Sequence, residues 1–317
     1  MGRRSRVRDR FRASRAIEWV EENQGAPFFL WLHVWDPHFR YVPPAPWDDA
    51  FAPPGGGSNF DLYERLSRRE LSLGEVFFQS SLNAEGLPRA ISLYDAEIRY
   101  TDQIVGEFLE RLRALELIDS AMIVLASDHG ESLGEHDLYF EHGEYLYEPT
   151  LRIPLLVHFP GGTGGGARVD ELASITDIYP TVLGAVGLDR DLPGRNLDPR
   201  AREPPPPVLL AETGRNFYAE DPRRPVPGIA GNWLCAISGE WKLIRIPSDT
   251  GFDCELYDLS EDPSESHNLY SPHDTIARRL EAEIEQWIGS FSPSDGAMDE
   301  SLDPATAARL RALGYLD

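Results

Sequence analysis

Three apolar runs of strand length punctuate the first half of the chain, at residues 28–34, 121–126 and 153–159. Continuous apolar runs of this length are typical of strands that are buried on both faces, as in a parallel sheet. Between the first two runs, apolar residues recur every three or four positions over residues 88–117, which predicts a long amphipathic helix. Strand, helix and strand in this order predict a βαβ unit with parallel strands, and hence an α/β domain.

The pattern changes after about residue 200. Four consecutive prolines at residues 204–207 indicate a linker, so we expect one domain over residues 1–203 and a smaller one over residues 204–317. Short strands are predicted in the second part, with a hairpin turn at Gly239 and Glu240, and an amphipathic helix follows at residues 275–288. The second part is therefore expected to form a small antiparallel sheet covered by a helix.

Composition and charge narrow the range of possible functions. The formal net charge is −23, which argues against a nucleic-acid partner because such proteins present a basic surface. No apolar run reaches 18 residues, so no membrane span is expected. With only Cys235 and Cys254, a disulfide framework is not expected, and two reduced thiols are the favoured interpretation. The sequence indicates no cellular localisation.

Polar residues that could bind a metal or take part in catalysis follow two of the predicted strands. Asp36 and His38 come after the first run, while Asp128 and His129 come directly after the second. Ligands of open parallel sheets bind at the carboxyl ends of the strands, and carboxylate and imidazole are both common ligands of divalent metals. By itself the pair is a weak signal, because Asp128 could instead cap a helix and His129 could be an exposed polar residue.

The surrounding motifs carry a resemblance to a known family. Residues 127–136 read S-D-H-G-E-S-L-G-E-H, residues 27–38 begin P-F-F-L and end D-P-H, and residues 93–98 read L-Y-D-A-E-I. Residues 177–181 read D-I-Y-P-T, and residues 255–259 read E-L-Y-D-L. These elements, in this order, resemble the sulfatase family of the alkaline phosphatase superfamily. The resemblance implies an alkaline-phosphatase-like sandwich with a mostly parallel central sheet and a small C-terminal antiparallel sheet.

The resemblance also implies roles for four residues. Asp128 and His129 would bind the catalytic divalent cation, with Ca²⁺ as the first expectation and Mn²⁺ or Zn²⁺ as alternatives. His38 and His142 would contact the oxyanion or the leaving-group oxygen of a sulfate ester, or of a phosphate ester. Among the other histidines, we expect His33 to lie in the core and His136 near the rim of the site. His158 is expected to be structural.

One part of the family pattern is missing. Family members present a nucleophile in a Cys-x-Pro-x-Arg or Ser-x-Pro-x-Arg element, whose Cys or Ser becomes formylglycine, and neither element occurs in this sequence. Two metal ligands are also too few for a stable site. We therefore expect a truncated or split form, with the central sheet incomplete at its N-terminus, that is inactive alone.

Two other functions stay open. A phosphomonoester, phosphodiester or phosphonate hydrolase of the same superfamily is one, since an Asp-His pair at the metal position occurs in phosphoesterase-like members. The other is a non-catalytic protein that keeps the fold as an interaction module. The missing nucleophile region would discriminate among the three.

Overall fold

The computed structural model describes residues 3–52, 62–78, 86–188, 193–213, 232–248, 251–271 and 274–290. Its α-helices are α1 (Arg3–Asn23), α2 (Leu62–Ser67), α3 (Leu73–Phe78), α4 (Leu87–Ala114), α5 (Glu148–Leu151), α6 (Ile178–Ala185) and α7 (Thr275–Ser290). Its strands are β1 (Ile123–Ala126), β2 (Ser132–Leu133), β3 (Tyr139–Glu141), β4 (Leu155–His158), β5 (Leu209–Thr213), β6 (Trp233–Ser238), β7 (Trp241–Ser248) and β8 (Gly251–Asp258). None of the described helices is long and apolar enough to cross a bilayer.

The long helix predicted at residues 88–117 is confirmed as α4. Pro88 lies in its first turn, where the missing backbone N–H costs nothing, and Arg111 and Arg113 lie in its last turn, where cations are favoured. Helix α1 packs against it through a small cluster in which Ala13 contacts Tyr100 and Ile104. The Thr101 hydroxyl of α4 also donates to the Asp36 carbonyl (3.0 Å), so α4 holds the segment that precedes His38.

The predicted parallel βαβ unit is wrong for the described residues. Strand β1 pairs with β4, and the pairing is antiparallel, with Val124 opposite Val157. Residues 28–34 form neither a helix nor a strand, and Phe29 and Trp31 are 75% and 77% exposed. An apolar run predicts burial on two faces, but it specifies neither the partner strand nor its direction. His33, which we expected in the core, is also exposed and lies beside Trp35.

The predicted C-terminal sheet and helix are confirmed. Strands β5 to β8 form a four-stranded antiparallel sheet in chain order, and the β6–β7 hairpin turns at Gly239 and Glu240. Successive side chains of a strand point to opposite faces, so β7 presents Leu243 to helix α7 and Ile244 to the rest of the molecule. Cys235 is buried and free, as the two-thiol interpretation expects, and Cys254 is free and half-buried.

The sheet face that lies away from helix α7 shares a hydrophobic core with residues that precede the proline run. That core joins aromatic and aliphatic side chains from both parts of the chain, among them Tyr41, Phe140, Tyr147, Trp233 and Ile244. The predicted boundary between two domains at residue 203 stays a prediction. The predicted loop over residues 41–59 contains a 3₁₀ turn at Trp47–Asp49, and its residues 53–59 lie outside the described part.

Candidate metal and substrate site

Asp128 and His129 stand where the sequence placed them, just beyond the carboxyl end of β1. The chain then turns through Gly130, whose N–H donates to the Thr150 carbonyl (2.8 Å), while the Glu131 N–H donates to the Pro149 carbonyl (2.9 Å). A Cβ on Gly130 would lie 2.0 Å from that Pro149 oxygen, so the turn admits only glycine without displacement. Helix α5 thus holds the loop that presents the pair.

Three imidazoles converge at this loop although they are far apart in sequence. The rings of His129 and His142 stack with centroids 3.6 Å apart, and the ring of His38 lies 5.0 Å from that of His142. One ring nitrogen from each of the three lies within 4.8 Å of the others. The structure therefore brings together the two histidines expected to contact substrate and the histidine expected to bind metal.

Each of these rings is held through its Nδ1 atom. His38 Nδ1 lies 2.7 Å from the Phe39 carbonyl oxygen and His129 Nδ1 lies 2.7 Å from the Gly130 carbonyl oxygen. His142 Nδ1 lies 2.9 Å from Glu131 Oε1. Hydrogen bonds at Nδ1 fix the tautomer and the orientation of an imidazole, which leaves Nε2 for a metal or an anionic ligand.

Asp128 completes the group from the solvent side. Its side chain is 68% exposed, and its Oδ1 lies 3.7 Å from His129 Nε2. At this separation a carboxylate oxygen and an imidazole nitrogen can bind the same cation after small side-chain rotations. The geometry fits a divalent metal held by these two residues, with further ligands needed for a complete coordination shell.

Glu131 and Tyr41 belong to the site and were missed by the sequence interpretation. The buried Glu131 carboxylate accepts a hydrogen bond from Tyr41 Oη (2.9 Å) on one oxygen and contacts His142 on the other. Burial by itself would lower the pKa of His142, but the hydrogen bond and charge of Glu131 outweigh burial and raise that pKa. Burial lowers the pKa of His38. The sequence signal that could have identified Glu131 is its position directly after Asp128-His129-Gly130.

The remaining described histidines lie elsewhere. His136, expected near the rim, stacks on Tyr147 with ring centroids 3.6 Å apart, and its Nε2 lies 3.9 Å from Glu265 Oε2. His158 Nε2 lies 3.0 Å from the Ile118 carbonyl oxygen, which supports its expected structural role.

The fold resembles those of solved hydrolase structures. The phosphonate monoester hydrolase of Agrobacterium radiobacter superposes with a TM-score of 0.67 at 24% identity, over 87% of this chain and 59% of that one. The molecule therefore has the alkaline-phosphatase-like fold, here with mixed α/β structure and a small antiparallel C-terminal sheet.

Family models identify the chain more closely. The model described as Sulfatase matches residues 5–188, and the model described as N-sulphoglucosamine sulphohydrolase, C-terminal, matches residues 134–289. The chain belongs to the sulfatase family. Arylsulfatase K of Mus musculus is 27% identical over 89% of this chain and 54% of its own length. Choline-sulfatase of Rhizobium meliloti (strain 1021) is 28% identical over 78% of this chain and 47% of its own length. The chain thus spans about half the length of these curated relatives.

Proposed function

We propose that this chain supplies part of the active site of a metal-dependent hydrolase of sulfuric esters. The observation that carries the proposal is the convergence of His38, His129 and His142 beside Asp128, with each Nδ1 atom already engaged. Membership of the sulfatase family supports a sulfate ester as the substrate.

In this proposal Asp128 and His129 hold the divalent cation. Such an ion neutralises the charge of a bound sulfate and polarises its sulfur–oxygen bonds. His38 and His142 contact the ester beside this cation, where imidazole can donate a hydrogen bond or a proton to an oxyanion or a leaving-group oxygen. Glu131 raises the pKa of His142, which favours its protonated form, and orients the ring for that role.

The donor set bears on the identity of the metal. Ca²⁺ binds six to eight oxygen ligands, so a calcium site would need several carboxylates besides Asp128. Imidazole suits Zn²⁺ and also binds Mn²⁺, and the described residues offer more nitrogen than oxygen. We therefore propose Ca²⁺ for a site completed by further carboxylates, and Zn²⁺ or Mn²⁺ for the ion that these residues bind by themselves.

We also propose that the polypeptide by itself is nearly inactive and acts with a complementary segment. Covalent catalysis requires an activated nucleophile, and the sequence contains neither Cys-x-Pro-x-Arg nor Ser-x-Pro-x-Arg. The exposed apolar residues Phe29, Trp31 and Leu156 support a complement that covers them, because surfaces of this kind mark interaction sites.

The test separates metal binding from turnover. The purified chain is titrated with Zn²⁺, Mn²⁺ and Ca²⁺ by calorimetry, alongside Asp128→Asn, His129→Ala and a His267→Ala control whose side chain is 82% exposed. We expect one site, weakened at least tenfold by the first two changes only. An equal affinity in all variants would contradict the site.

Turnover is then measured on 4-nitrophenyl sulfate and on an aryl phosphonate, with each metal. Hydrolysis of the sulfate by the chain alone at enzyme-like rates would overturn the proposed need for a complement. Preferential hydrolysis of the phosphonate would favour the phosphoesterase alternative, which the Asp128-His129 pair keeps open. Absence of metal binding would contradict a metal site that these residues form by themselves.

A further inference from the structure

The four strands of the C-terminal sheet all contact the segment that follows His142. Residues 143–148 run across the sheet face opposite helix α7, and each strand provides at least one contact. The contacts are a Thr213 hydroxyl hydrogen bond to the Gly143 carbonyl, Trp233 edge-on to Tyr145 (ring centroids 4.9 Å apart), Lys242 to Glu148 (3.0 Å) and Tyr147 to Glu255 (2.9 Å). The sheet therefore holds the backbone on the C-terminal side of His142.

Lys242 is the fully buried cation among these contacts. Its Nζ lies 3.0 Å from Glu148 Oε1 and 2.7 Å from Glu265 Oε1, and its side chain is 0% exposed. Glu265 in turn accepts a hydrogen bond from the Glu148 N–H (2.7 Å). Burial by itself would lower the pKa of Lys242, but its charged neighbours outweigh burial and raise that pKa. A buried charge persists only where partners of this kind compensate it, so the three residues form a unit with one preferred geometry.

This unit is connected to the candidate site through helix α5. Glu148 begins α5, and the next two residues of the helix accept the hydrogen bonds from Gly130 and Glu131 that shape the Asp128-His129 loop. Glu131 then holds His142. The four-residue helix therefore has Lys242 bonded to its first side chain and the site loop bonded to its backbone carbonyls.

We propose that Lys242 is a positioning residue for the candidate site, acting through Glu148 and helix α5 on the loop that carries His129 and Glu131. Removing its charge leaves the buried Glu265 carboxylate and the half-buried Glu148 carboxylate without their cation, so α5 moves and the hydrogen bond from His142 to Glu131 is altered. That this site binds a metal and an ester rests on the proposed function. The coupling between Lys242 and the His129 loop does not, because it is measurable in the chain without metal or ester.

The test uses the full chain labelled with ¹⁵N-histidine, in Lys242→Met and in a matched control, Arg245→Met. Arg245 lies on the same strand but on the face toward α7, where it pairs with Glu285 and contacts no residue of the candidate site. We expect Lys242→Met to shift the ring-nitrogen resonances of His142 and His129 and to weaken Zn²⁺ binding about tenfold. The control should leave both measurements as in the parent.

A folded Lys242→Met chain with parental His142 and His129 resonances would overturn the proposal, even if its stability were lower. If Lys242→Met does not fold, Glu148→Gln decides, since it keeps the shape of the side chain and the backbone bond to Glu265. Unchanged resonances in Glu148→Gln would also overturn the proposal. Failure of ester hydrolysis bears on the proposed function alone, because neither resonance depends on turnover.

Discussion

Glu131 offers the sharpest test of how the candidate site is held together. Tyr41 is fully buried and donates to one oxygen of the buried Glu131 carboxylate, whose other oxygen contacts His142. Tyr41→Phe keeps the ring and removes only the hydroxyl donor. A hydrogen bond to a charged group contributes about 1.5–3 kcal/mol, so Tyr41→Phe should lower the free energy of unfolding by about that amount.

The assay is urea unfolding of the full chain as a double-mutant cycle with Glu131→Gln. Because both changes act on one hydrogen bond, their effects should fall short of additivity by at least about 1 kcal/mol. Tyr179→Phe is the control, since Tyr179 is 58% exposed and its change should cost less than about 0.5 kcal/mol. Additivity of Tyr41→Phe and Glu131→Gln within about 0.5 kcal/mol would refute the shared carboxylate.

Three further predictions concern the loop at Gly130, the thiol of Cys235 and the capping carboxylate of Asp177. Gly130→Ala should lower the free energy of unfolding by at least about 2 kcal/mol, because its Cβ would meet the Pro149 carbonyl and break two hydrogen bonds, whereas Gly25→Ala, with open space around it, should not. Burial raises the pKa of Cys235 to about 12, so its thiolate is scarce at pH 8 and iodoacetamide should label it only on unfolding. Rapid labelling of Cys235 itself in the native chain, with the half-buried Cys254 replaced by Ala, would contradict this. Asp177→Ala should cost about 1–3 kcal/mol in urea unfolding, because the buried carboxylate accepts backbone hydrogen bonds from Ser174 and Arg195, and an unchanged midpoint would argue against it.

Local pattern predicted the long helix α4 and the C-terminal sheet with its helix α7. Helices α4 and α7 follow from the three-to-four-residue spacing of their apolar side chains, which a helix places on one face. Strands β6 to β8 follow from short apolar segments separated by turn residues such as Gly239, whose φ is positive. In each case the signal lies within the segment that folds.

The pairing of β1 could not be predicted in this way. Residues 28–34 and 123–126 have the same apolar character, yet β1 pairs with β4 and runs antiparallel to it. Strand direction and partner depend on hydrogen bonds between distant segments, and an apolar run contains no information about either.

The sequence by itself determined helices α4 and α7, the C-terminal sheet, membership of a recognisable family and the candidate pair Asp128-His129. Only the tertiary structure decided that His38 and His142 lie beside that pair, that Glu131 joins His142 to Tyr41, and that Lys242 is buried against Glu148. Motif and periodicity are local properties of the chain. A site assembled from residues 38, 129 and 142 depends on packing between separate elements, and that packing is fixed by the fold as a whole.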